Sequence, residues 1–215
     1  MEIKKLKEEK NSEINELKNE IQMLKKLINN KDDLVNDGRF NINSNILNKS
    51  DLIFIENRLK KIDIFKDKNI NYKLIYRATR DGGLPKDFHN KCDGTPNTIT
   101  VIKTKKNNKF GGYITYKWDS SSLWINNDEN CFIFSLDLKK CYEPIEDMDK
   151  YQFIGKCGPN FTEFGLEDNL FGESSLNIHL LSEVSCFSGF TKDYEINGGN
   201  SSFTIEDLEV FQILY

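Results

Sequence analysis

Alanine is almost missing from this 215-residue chain, with Ala78 the only one. Asn, Lys and Ile are abundant instead, a bias that AT-rich codons explain, so the asparagines are not read as a prion-like tract. There are two histidines, His89 and His179. A zinc site takes about four ligands, usually from paired motifs. His89-x-x-Cys92 has ligand spacing but no second pair, so Cys92 is read as a core residue and no metal is expected. No run of about 18 apolar residues occurs, which excludes a membrane-spanning helix. A basic excess is also lacking: 30 Lys and Arg stand against 34 Asp and Glu, for a formal net charge of -4. That argues against a general nucleic-acid binder. The opening MEIKKLKEEK has no apolar stretch of the signal-peptide kind, and the five cysteines show no paired spacing. Reduced thiols and a cytoplasmic location are therefore expected. Phosphate loop, dinucleotide fingerprint, zinc-protease helix and serine-hydrolase elbow are all absent, and no cofactor is expected.

What is present begins with a helix. Residues 1–35 contain neither Pro nor Gly. Ile14, Leu17, Ile21, Leu24 and Ile28 fall at spacings of 3, 4, 3 and 4. With Ile at a and Leu at d, this seam favours a parallel two-stranded coiled coil. Glu13 and Glu20 fall at g, and Lys18 and Lys25 at e, so each Glu meets a Lys of the other strand. A homodimer through 14–28 is expected; the alternative is a lone helix docked on its own domain. Residues 36–49, Asn-rich with Gly38, read as a linker. Residues 50–215 read as the globular domain.

Within that domain, Ser50 can cap a helix over Asp51–Phe65, with Leu52, Ile55, Leu59 and Ile62 on one face. The stretch Tyr76–Ser121 carries the clearest order. Arg77, Arg80 and Asp81 stand at a strand end and turn. A short helix follows, with Leu84, Phe88 and Cys92 on one face. Thr98–Lys103 and Phe110–Trp118 then read as a hairpin turning at Lys106-Asn107-Asn108. Later strands are expected at Cys131–Leu136, Tyr151–Lys156, Ser175–Leu180 and Asp207–Tyr215. The fold class is α+β, mostly β: a two-sheet sandwich bordered by helices and preceded by the N-terminal helix.

The stretch Tyr76–Ser121 resembles the TLDc domain, the module of the oxidation-resistance proteins. The resemblance rests on YRATRDG at 76–82, FHNKCD at 88–93, FGGY at 110–113 and WDSS at 118–121. Phe132–Asp137, Phe161–Leu170 and Phe203–Phe211 extend it, so that it covers Leu47 to Tyr215. In the Phe-Gly stretch, Leu166 and Glu167 follow Gly165 where the family has more glycine. The resemblance implies two sheets bordered by helices. It also implies a non-enzymatic interaction module, linked to oxidative-stress protection and to binding or regulation of the vacuolar proton ATPase.

The polar residues that such a module offers a partner are Arg77, Arg80, Asp81 and Asp119, with Trp124 as an aromatic contact. Each has a plainer reading. The charged four can be ion pairs pinning the helix to the hairpin, and Trp124 can be core, as Trp118 is expected to be. Two other functions stay open. One is a thiol-dependent redox enzyme built on the free cysteines. The other is a structural adaptor joined to an unrelated complex by the coiled coil.

Overall fold

The computed structural model describes residues 42–119, 128–144, 173–175, 187–189 and 191–215, with Lys10, Lys18 and Ile21. The chain divides into two units, Met1–Asn41 and Ile42–Tyr215. In the first, Lys10, Lys18 and Ile21 are helical, and Ile21 is 51% exposed. The other seam positions, Ile14, Leu17, Leu24 and Ile28, lie outside the described residues.

The second unit opens within the segment read as a linker. Ile46 and Leu47 are buried, so packed structure begins upstream of Ser50. Helix α1, Lys49–Leu59, is capped by Asn48 rather than by Ser50. Asn48 Oδ1 accepts from the Asp51 amide at 3.0 Å, and Asp51 Oδ2 accepts from the Asn48 amide at 3.2 Å. This reciprocal box needs a polar residue three positions after the cap. Counting from Asn48 that residue is Asp51; counting from Ser50 it would be the apolar Ile53. Leu52, Ile55 and Leu59 are buried on one face, as their spacing requires. The helix ends at Leu59, short of the expected Phe65, and a 3-10 turn over Asp63–Phe65 carries the chain on.

The strands are β1 (Asn71–Arg77), β2 (Thr98–Thr104), β3 (Lys109–Ile114), β4 (Phe132–Ser135), β5 (Lys140–Pro144), β6 (Glu173–Ser175), β7 (Phe187–Ser188) and β8 (Ser202–Leu214). Between β1 and β2 lie α2 (Ala78–Asp81) and α3 (Pro85–Cys92). Six strands pair antiparallel in the order β1-β8-β2-β3-β4-β5. The short β7 extends the sheet past β5, and β6 pairs with the first residues of β8. The described strands thus join into one ladder. The strand expected at Tyr151–Lys156 and most of that at Ser175–Leu180 lie outside the described residues, and no second sheet is found among those described.

Alternation along the strands gives the sheet two faces. On one, Ile102, Phe110, Ile133, Leu208 and Val210 pack with Phe88 and Cys92 of α3 and with Trp118. On the other, Tyr113 meets Phe65 at 6.0 Å between ring centroids, and Arg58 of α1 lies 4.4 Å from the Phe132 ring centroid. A β-carbon at Gly111 would stand 2.0 Å from the Thr100 carbonyl oxygen, so β2 and β3 approach only because no side chain is there. Strand β3 stops at Ile114 rather than Trp118, because Asp128 Oδ2 takes the Thr115 amide at 2.7 Å. Among the described residues no helix is long and apolar enough to cross a membrane.

Candidate functional site

The corner where β1 turns into α2 against β8 gathers three of the expected site residues. Arg77, the last residue of β1, is largely buried, and Glu209 in the middle of β8 is fully buried. Arg77 Nε donates to Glu209 Oε1 at 2.7 Å. The Asn45 amide donates to the same oxygen at 2.8 Å, and Ser44 Oγ donates to Oε2 at 2.5 Å. Arg77 Nη2 donates to the Asn43 carbonyl at 2.8 Å and to its side-chain oxygen at 3.1 Å. A buried carboxylate is tolerable only when paired and hydrogen-bonded in this way.

The remaining bonds of the corner hold its backbone. The Arg77 amide donates to Asp81 Oδ2 at 2.9 Å. Arg80 forks onto Asp81, Nε to Oδ1 at 3.0 Å and Nη2 to Oδ2 at 2.6 Å. That fork holds the Asp81 carboxyl below its ordinary range, against a smaller push upward from burial. Thr79 donates to Asp207 from both its amide, at 3.1 Å, and its hydroxyl, at 2.9 Å. Tyr76 Oη donates to the Gly82 carbonyl at 2.6 Å. Gly82 has φ of 113° and would place a β-carbon 2.3 Å from the Asp87 carboxylate, so only glycine fits this turn. Of the three residues, Arg80 alone presents much side chain to solvent, at 43% exposed.

Other expected residues lie apart from this corner or outside the described residues. Asp119 is exposed and follows Trp118, which is buried and donates from Nε1 to Thr98 Oγ1 at 2.8 Å. Trp124 lies outside the described residues. A second charged group had no place in the sequence reading. Buried Asp51 receives Lys109 Nζ and Lys139 Nζ, each at 2.5 Å. Its half of the signal, Asn48-x-x-Asp51, is a capping box visible in the sequence. Glu209, Asp207 and Ser44 carry no such signal.

Reactive cysteines sit in electropositive, partly exposed settings, whereas Cys92 is buried in the core and Cys141 is half-buried. Burial raises the Cys92 thiol well above its ordinary range. It also pushes Cys141 up to about 12, with Glu143 adding to the effect and the cations Arg58 and Lys61 opposing it. Cys131 is buried, and Cys157 and Cys186 lie outside the described residues. His89 Nδ1 is 2.7 Å from Asp93 Oδ1, away from Cys92, whose side chain is in the core. No group of three or more metal-ligating side chains occurs among the described residues. A pocket of about 180 Å3 between Lys105–Lys106 and Ser202–Thr204 falls below the roughly 300 Å3 at which small-molecule sites begin.

A family model described as the TLDc domain matches residues 40–214. No curated protein matches the chain.

Proposed function

We propose that this chain, which belongs to the TLDc domain family, is a non-enzymatic interaction module of the cytoplasm that acts in protection from oxidative stress. Its partner in this reading is the vacuolar proton ATPase, and residues 14–28 pair two copies of the chain. The observation that carries the reading is the extent of the match: residues 40–214 take in all but the last residue of the unit Ile42–Tyr215. The chemistry of the described residues supports it. Arg77, Asp81, Asp207 and Glu209 are bonded to one another's elements, as in a corner built for shape. Cys92 and Cys141 are held as thiols by burial.

The test uses the full chain as bait with assembled proton ATPase at physiological salt. Recovery of ATPase subunits is expected, and loss of every subunit overturns the partner. Single Cys→Ser variants, assayed for peroxide consumption, decide the redox alternative; no turnover and no effect of any one cysteine is expected. For the pairing, sedimentation over a concentration series compares the full chain with Ile21→Asp. Ile21 is helical and half-exposed. The expected result is a concentration-dependent dimer that this variant abolishes, and a full chain that stays monomeric overturns it.

A further inference from the structure

The geometry points to Asn43–Leu47 as a releasable strap, seated on the Arg77–Glu209 pair, that links residues upstream of it to the corner of β1, α2 and β8. The strap is held by side chains of one site. Asn43 meets Arg77, while Ser44 and Asn45 meet Glu209. Ser44 Oγ also accepts the amides of Ile46 and Leu47, at 3.1 and 2.8 Å, which folds the strap on itself. Among the described residues no backbone–backbone bond ties Asn43–Leu47 to a strand. The seat is completed by Ile46 and Leu47, which are buried.

Three features let the strap leave without unfolding what it leaves. First, Arg77 and Glu209 pair directly with each other, at 2.7 Å, so departure of the strap strands no lone charge. Water can replace the hydroxyl, amide and carbonyl that the strap supplied. Second, the corner keeps its own bonds, Arg77 to Asp81, Thr79 to Asp207 and Tyr76 to Gly82. Third, α1 is closed by its own box between Asn48 and Asp51, so an opening from the N-terminal side stops at Asn48. Release of the strap uncovers the guanidinium edge that Asn43 occupies.

Native-state hydrogen exchange on the full chain tests this. The amides of Asn45, Ile46 and Leu47 should exchange together, at least about tenfold faster than those of Thr100–Ile102 in β2, because they open in a smaller unit. Ser44→Asp sets a second carboxylate against Glu209. It should speed Asn45 by about a further tenfold, the loss of a bond to a charged group, with β2 unchanged. Ser44→Ala removes the hydroxyl without adding charge and should act in the same direction on Asn45. Strap amides that exchange as slowly as β2 would overturn the inference. So would either variant that speeds strap and β2 by one common factor.

Discussion

The aromatic block under α3 and the Glu209 carboxylate of the polar corner are both fully buried, yet block and corner hold the domain by different means. In the block, the Phe88 ring stands edge-on to Tyr76 at 5.7 Å and to Trp118 at 5.3 Å. Each ring fills space that no other group can fill, and the stabilisation follows the apolar area removed from water. In the corner, Glu209 accepts from three residues that lie far away in the chain. Burying that carboxylate is unfavourable in itself, and its partners offset the cost. The block is therefore sensitive to lost volume and the corner to a lost partner.

The largest effect separates these two cases. Phe88→Ala leaves a cavity between α3 and the sheet and should cost about 3–5 kcal/mol in chemical denaturation. A loss below about 1 kcal/mol would mean that this face is no core. Glu209→Met strands the Arg77 guanidinium and should cost about 3 kcal/mol. Adding Arg77→Met should return much of that loss, a coupling that a double-mutant cycle reads directly. No second substitution should rescue Phe88→Ala in the same way. If the Arg77 and Glu209 losses merely add, the corner behaves like the block and the contrast fails.

A third test turns on pH. Burial pushes the Asp51 carboxyl up, but hydrogen bonds from Lys109, Lys139 and the Asn48 amide outweigh it and hold the group below its ordinary 3.8. A depressed carboxylate contributes stability that is full above the unfolded value and is lost as pH falls through the folded one. Asp51→Asn should thus cost about 2 kcal/mol near neutrality, and its gap from the native chain should close below about pH 4. Asp128 works the other way: burial raises its carboxyl despite hydrogen bonds from the main chain, so its contribution is present at low pH and lost as pH rises. The difference between native chain and Asp51→Asn isolates Asp51 from it. A gap unchanged down to acid would show that the two lysines do not respond to its charge.

The smallest effect is expected at Arg80→Ala. Its side chain is 43% exposed, and exposed pairs contribute only a few tenths of a kcal/mol. Asp81 retains the Arg77 amide, so melting should scarcely move. A loss above about 1 kcal/mol would place Arg80 inside the structural network. A lost pull-down with unchanged melting would place it on the partner surface.

Local patterns in the chain were enough to locate most described elements. The spacing of Leu84, Phe88 and Cys92 marked a helix face, of which Phe88 and Cys92 are buried while Leu84 is the N-cap and 44% exposed. Alternation marked β2, and the Asn107-centred turn joined it to β3, with Asn107 at φ of 66°. The motifs around Arg77, Phe88, Gly111 and Trp118 also carried the family, because they are contiguous in sequence. Element ends were less legible. Ser50 and Asn48 are both good caps, and only the partner three residues on chooses between them. Strand β3 ends where Asp128, distant in sequence, captures an amide.

The tertiary structure alone decided what the charges do. In Asp207-Leu208-Glu209-Val210-Phe211, alternation puts the two acids on the face opposite Leu208 and Val210, which in a one-sided sheet would be solvent. Here all five are buried. Glu209 lies under the strap and Asp207 against α2, because Arg77, Ser44, Asn45 and Thr79 arrive there with matching donors. Apolar periodicity is a local property that the chain declares residue by residue. The pairing of a buried charge depends on donors 128 to 165 residues away, and only folding brings them within bonding distance.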